Sequence, residues 1–166
     1  MGIEGGKCMF SIGDKIVYPM HGAGIIKNIE EKEILGEKAF YFILELPICQ
    51  MKLMVPVNNS KKLGLRDIVN EEIVEEILIV LGKGQNEEET NWSKRHRKNM
   101  ERIKTGDIFE VAEVVRNLVL LDEEKGLSTG EKKMLNNAKQ ILMSELALVK
   151  DISKEEAEQL ITDHIK

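Results

Sequence analysis

"MKLMVPVNNSKKLGLRDIVNEEIVEEILIVLG" occupies residues 51–82, and no single period fits it. Its head, "CQMKLMVPV" (49–57), partly alternates, with Gln50 and Lys52 among apolar neighbours, and stops at Pro56. That is a strand pattern. "NNSKKLG" (58–64) is a polar connection with room for one helical turn. From Asn70 the period becomes helical: Ile73, Val74, Ile77, Leu78 and Leu81 form one stripe, closed by Gly82. The chain therefore changes from β to α between Pro56 and Asn70.

Upstream of the switch everything reads as strands. "DKIVYP" (14–19) is short, β-branched and ended by Pro19. "HGAGII" (21–26) carries two glycines suited to a tight turn or close strand packing, and "GIIKNIEEKEIL" (24–35) runs on toward Gly36. "GEK" (36–38) is the expected hairpin turn, and "AFYFILEL" (39–46) a largely buried strand before Pro47. Four or five short strands within residues 10–57 predict a small, bent antiparallel barrel of the SH3 or Tudor kind.

Downstream everything reads as helix. "GKGQNEEETN" (82–91) is a loop, and a helix covers 93–104 before Gly106. Three pairs at capping-box spacing mark helix starts: Asp107 with Glu110, Ser128 with Glu131, Ser153 with Glu156. The stripes that follow are Ile108, Val111, Ala112, Val115, Leu118 and Val119; then Leu135, Ala138, Ile141, Leu142, Leu146 and Val149; then Ala157, Leu160, Ile161 and Ile165. The fold class is α+β: an SH3/Tudor-like barrel at 9–64, then a compact all-α domain at 65–166. Residues 1–8, "MGIEGGKC", are Gly-rich and unpatterned, as expected of a flexible leader or tag remnant.

Composition narrows the functional classes. Hydrophobic residues make up 42% of the 166, enough for a packed core. A formal charge of -5 excludes a surface that binds polyanions everywhere, so any nucleic-acid contact must come from a local patch. Cys8 and Cys49 have no metal or redox spacing and fit free thiols in a reducing cytoplasm. No apolar run reaches the length of a membrane span.

Catalytic chemistry finds no constellation. His21 sits in a Gly-rich turn, His96 in a basic run and His164 near the C-terminus, none with a ligand partner at i+4. Cys49 has no nucleophile context and reads as a buried or edge thiol. "HGAG" (21–24) reads as a turn, and "GLSTGEK" (126–132) lacks phosphate-loop spacing and reads as a helix start. No metal, cofactor or small-molecule substrate is expected.

One stretch stands out. "TNWSKRHRKNMERIKTGD" (90–107) holds the only tryptophan, Trp92, directly ahead of Lys94, Arg95, Arg97 and Lys98 and after the acidic triplet at 87–89. On a helix, positions 92, 96, 99, 100 and 103 share a face, so Trp92 fits the exposed end of a short core stripe. It also fits a ligand contact. At a helix N-terminus, N–H groups and cations can hold phosphates while a flat ring enters a base step or stacks on a single strand.

The segments "FSIGDKIVYPMHGAGII" (10–26), "TNWSKRHRKN" (90–99), "TGDIFEVAEVVRNL" (105–118) and "GLSTGEKKMLNNAKQILMSELAL" (126–148) resemble, in order and spacing, the CarD/CdnL family of bacterial transcription regulators. The resemblance covers residues 9–150. It implies that the Tudor-like domain binds the β subunit of RNA polymerase and that the helical domain reaches upstream promoter DNA. It further implies that Trp92 wedges into the minor groove at the edge of the transcription bubble, stabilising the open promoter complex. Lys94, Arg95, Arg97 and Lys98 would hold the backbone through weak, largely nonspecific contacts. Lys32 and Met54 stand where the family's polymerase-binding surface often carries arginines; Lys32 keeps the charge without the bidentate fork, and Met54 keeps neither. The resemblance places the protein in the cytoplasm, on the nucleoid through polymerase.

Two other readings remain open from the residues. One is a protein-only adaptor with Trp92 as a binding hot spot. The other is a sequence-specific repressor, although no helix carries base-reading side chains at groove-facing spacing.

Overall fold

The computed structural model describes residues 10–84 and 90–165. The expected leader (1–8), Cys8 and the acidic triplet (87–89) lie outside the described residues. The fold is α+β, as the change of period requires. Five strands come first: β1 Lys15–Tyr18, β2 Gly22–Ile34, β3 Glu37–Leu46, β4 Met51–Pro56 and β5 Arg66–Asp67. Five helices follow: α1 Glu71–Leu81, α2 Trp92–Lys104, α3 Ile108–Lys125, α4 Thr129–Lys150 and α5 Lys154–His164.

The sheet is antiparallel, in the order β4-β3-β2-β1-β5. The stretch 21–35, which the sequence suggested as two segments, is spanned by the single strand β2 from Gly22 to Ile34, with its pairing register shifted by a bulge between Ile26 and Asn28. The β2–β3 turn falls at Leu35 and Gly36, both at positive φ, one residue earlier than "GEK" suggested. Leu35 is 98% exposed at the tip. Inner-face residues Phe10, Ile16, Ile26, Phe42, Leu44, Leu46, Val55, Val57 and Leu65 form one apolar core. The sheet extends past residue 64, because Arg66 and Asp67 pair with β1 and Leu65 closes the core.

The helices enclose a second core around α3. Val111, Ala112, Val114, Val115 and Leu118 are buried there on several sides of the helix. Arg116 is buried too; it donates Nη1–H to the carbonyl of Val80 at the end of α1, adding to the backbone bond that carbonyl accepts from Lys83 N–H. The stripe expected on α4 is present but too narrow. Met134, Met143, Ser144, Glu145 and Ala147 are also buried, since α4 is covered on one side by helices and on another by β2.

That second covering forms a polar seam between sheet and helices. Ser144 Oγ accepts from Ala23 N–H at 2.8 Å and donates to the Ile141 carbonyl. Gly22 sits beside it at φ +118°, and a Cβ there would meet Ser144 Oγ at 2.9 Å, so the close approach requires glycine. The Arg66 guanidinium donates twice to the Glu145 carboxylate, at 2.7 and 2.8 Å, and once to the Gly106 carbonyl. Glu145 also accepts from Val69 N–H.

Of the three expected capping boxes, only Ser153 with Glu156 closes reciprocally. Asp107 caps α3 through Phe109 N–H, and Glu110 instead pairs with Arg102, as does Glu113. Ser128 caps α4, but the Glu131 side chain is diverted elsewhere. Long carboxylates at such positions reach back only where no guanidinium competes for them. Among the described residues no helix is long and apolar enough to cross a membrane.

Candidate nucleic-acid interface

Helix α2 begins one residue earlier than expected, at Trp92, because Asn91 caps it by accepting from Lys94 N–H at 3.0 Å. One face of α2 packs inward: Ile103 and Asn99 are buried, and His96 and Met100 half-buried. Trp92 ends this face, 46% exposed. Its ring stacks on His96, centroids 5.2 Å apart and planes 21° from parallel. Its indole N–H donates to Ser128 Oγ at 3.1 Å. The tryptophan is thus anchored on one side and open on the other.

The cations around it divide into two sets. Lys94, Arg97 and Lys98 are exposed, and no carboxylate pairs with them among the described residues. Spacings of three and four residues put them together on the outer face of the helix, away from the inward face that Trp92 ends. Arg95 turns the other way. Its guanidinium meets the Glu131 carboxylate at 2.7 and 3.1 Å, with side chains only 16% and 3% exposed. The phosphate contact expected of Arg95 thus has a competitor in the structure, the Glu131 carboxylate. One residue of offset on a 3.6-residue turn carries it from the outer face to the inner, where Glu131 occupies its donors. Sequence reasoning put His96 on the face of Trp92 but missed Ser128 as the acceptor of its indole N–H and Glu131 as the partner of Arg95. The available signal was the need of a half-buried indole N–H for an acceptor.

Further along α2, Arg102 lies between Glu110 and Glu113. Burial alone would lower its pKa, but the two carboxylates outweigh burial and hold it above the ordinary value. It is a structural cation.

Lys32 and Met54 lie on the sheet, away from α2. Lys32 pairs with Ala39 and Met54 with Ile43, and Ala39 and Ile43 project from the same face of β3. That face is the outer one, opposite Phe42 and Leu44. Met54 is 47% exposed, and Lys32 pairs with Glu30 at 3.0 Å. The hydrogen bond from Lys32, with one from Asn28, holds the Glu30 carboxyl below its usual value. β4 is an edge strand.

The remaining titratable side chains take local roles. His21 stacks on Tyr18 and lies 3.1 Å from the Pro19 carbonyl; His164 lies 2.8 Å from the Leu160 carbonyl. Burial pushes the Cys49 thiol above its ordinary pKa, a nearby Lys154 opposing it. Among the described residues no group of three His, Cys, Asp or Glu side chains could hold a metal.

A small antiparallel sheet is thus packed on a helical unit, with separate exposed features on each part. Residues 10–69 match the family model described as the CarD-like/TRCF RID domain, and residues 76–162 that described as CarD, C-terminal domain. Over 148 residues the chain is 43% identical to the putative transcription factor YdeB of Bacillus subtilis (strain 168), covering 89% of this chain and 97% of that protein. The chain belongs to the CarD family of transcription factors. The solution NMR structure of the 72-residue N-terminal domain of Myxococcus xanthus CarD aligns with 40% of this chain and 89% of its own, at 25% identity and a TM-score of 0.32.

Proposed function

We propose that the protein bridges RNA polymerase and promoter DNA and lengthens the life of the open complex. Residues 9–64, extended by Leu65 and by the strand at Arg66 and Asp67, form the polymerase-interacting part; the helical remainder, residues 68–166, forms the DNA-contacting part. The observation that carries the reading is the half-exposed indole of Trp92 at the head of α2, a helix whose outer face presents Lys94, Arg97 and Lys98. A flat apolar ring at the head of a helix that also presents three cations suits a minor-groove wedge. The ring fills an opened base step while the cations hold phosphates. Three exposed cations favour DNA over a protein-only partner, where Trp92 would be a hot spot rimmed by mixed charge.

The outer sheet face bearing Lys32 and Met54, next to the edge strand β4, is the proposed surface for the polymerase β subunit. Its chemistry is mixed: Met54 and Ile43 lie on the face that also carries Lys32 with Glu30 and Lys52 opposite Glu45. The protein then acts in the cytoplasm, on the nucleoid, without catalytic chemistry of its own. The test is open-complex lifetime at a promoter, with and without the protein, in wild-type and Trp92→Ala forms. Equal lifetimes for all three conditions would refute the reading.

A further inference from the structure

The first turns of α2 and α4 are joined by more contacts than packing requires. Buried Ile103 and Asn99 already hold the body of α2 on its neighbours. At its head, where little but the half-exposed indole would otherwise touch α4, three further ties appear. Ser128 Oγ accepts from both Glu131 N–H, at 3.2 Å, and the Trp92 indole N–H, at 3.1 Å. The ring edge lies over Gly130, where a Cβ would stand 3.8 Å from Trp92 Cζ2. One turn beyond Trp92, the Arg95 fork closes on Glu131 from two nitrogens.

We propose that Arg95 and Glu131 are positioning residues for Trp92. Their buried ion pair pins the head of α2 to the head of α4 and holds the indole at a fixed angle. The inference rests on the wedge reading for its effect on DNA, but not for its effect on the ring itself.

An indole on the first residue of a helix is held by a single terminal turn, and terminal turns fray. A wedge that must first be ordered loses part of its binding free energy to that ordering. Glu131 supplies the second helix's first turn with both a backbone donor to Ser128 and a carboxylate to Arg95, so the hydroxyl that receives the indole is itself held. The planar fork of arginine fixes direction as well as distance, which lysine cannot do.

A positioning role and a phosphate-holding role predict opposite signs for Glu131→Gln. Removing a negative charge near DNA strengthens an electrostatic contact, so a phosphate-holding Arg95 set free by the substitution should lengthen the open complex. A positioning pair predicts the reverse, since the amide accepts only part of the fork.

The experiment uses the full-length chain, whose single tryptophan reports on itself. Fluorescence anisotropy of Trp92 is read well below the melting temperature for wild type, Arg95→Lys, Glu131→Gln and the charge-swapped double variant Arg95→Glu with Glu131→Arg. Open-complex lifetime is measured for the same set and for Glu131→Gln in a Trp92→Ala background. The expected result is lower anisotropy and a lifetime shortened roughly three- to tenfold in both single variants, a fraction of full stacking. The swap should recover part of both, and Glu131→Gln should have no further effect on lifetime once Trp92 is gone. Unchanged anisotropy, a longer lifetime with Glu131→Gln, or the same loss in the Trp92→Ala background would overturn the proposal. If Trp92→Ala itself leaves the lifetime unchanged, the wedge reading fails, and the anisotropy arm still decides whether the pair orders the ring.

Discussion

Replacing Trp92 by alanine separates a wedge from a core residue, and the structure sets the size of each effect. Truncating a fully buried tryptophan costs roughly 3–5 kcal/mol of folding stability. Trp92 is 46% exposed, so about half of that is at stake. The bond to Ser128, worth about 1 kcal/mol, is part of it. The expected folding cost is roughly 2 kcal/mol, a fall in melting temperature of about 4–8 °C for a chain of this length. The protein stays folded at assay temperature. Loss of the wedge is then read in the open complex, where stacking worth about 1–3 kcal/mol corresponds to roughly five- to hundredfold in lifetime. Trp92→Phe should retain part of the effect, since its smaller ring still stacks on His96 but has no N–H for Ser128. The assay pairs thermal melting with competitor-challenged open-complex decay on the same preparation. A steep fall in melting temperature with an unchanged lifetime in the folded fraction would refute the reasoning.

Binding of the isolated protein to duplex DNA should be weak and insensitive to sequence. Three contacts from Lys94, Arg97 and Lys98 give a log–log salt slope of roughly -3, and each alanine substitution should reduce it by about one; an equal change with Arg95→Ala would return that residue to the phosphate set. A fragment of residues 10–69, which includes β5, should capture polymerase β in a pull-down without the helices, and retention by the helical half alone would reverse the assignment. Arg66→Ala leaves the Glu145 carboxylate buried beside a single backbone donor. It should cost about 3 kcal/mol, the low end for breaking a buried pair because Arg66 is itself partly exposed, and calorimetric melting reads the loss.

Periodicity made most of the fold legible. The stripes on α1 and α5 and the partial alternation in β4 each depend on one buried face, and one face is what a period records. What escaped detection depends on contacts between distant segments. β5 is two residues long, too short for any pattern, and exists because Val17 and Ile16 offer it a free edge. The extra burial on α4 comes from a second face covered by β2, which a one-sided stripe cannot show. Two of the three capping boxes were broken by arginines 36 and 8 residues away from their glutamates in sequence. The candidate site followed the same rule. Trp92, Lys94, Arg97 and Lys98 are local to one helix, and their exposure followed from its geometry. Arg95 shares their charge and neighbourhood but faces Glu131, a partner that only the packing of α4 against α2 supplies.

The seam between sheet and helices gives the weak DNA contact its proposed use. Three exposed cations on a chain of net charge -5 cannot hold a promoter alone. A tether to polymerase would supply an effective concentration in the millimolar range, but only if the tethered group points the right way. A loose joint would spread Trp92 over a large volume and dilute that advantage. Here Ser144 is bonded to Ala23, Glu145 receives both Arg66 and Val69, and Arg66 reaches on to Gly106 at the turn between α2 and α3. The last contact matters most, because it ties the sheet directly to the end of the helix whose other end carries Trp92. On this argument Arg66→Ala does more than destabilise. With polymerase still bound through the outer sheet face, the variant should shorten the open complex while leaving the salt slope of free DNA binding unchanged, since no phosphate contact is removed. A reduced slope, or a full-length lifetime in a folded Arg66→Ala protein, would show that the seam transmits nothing and that the two parts act as independently tethered modules.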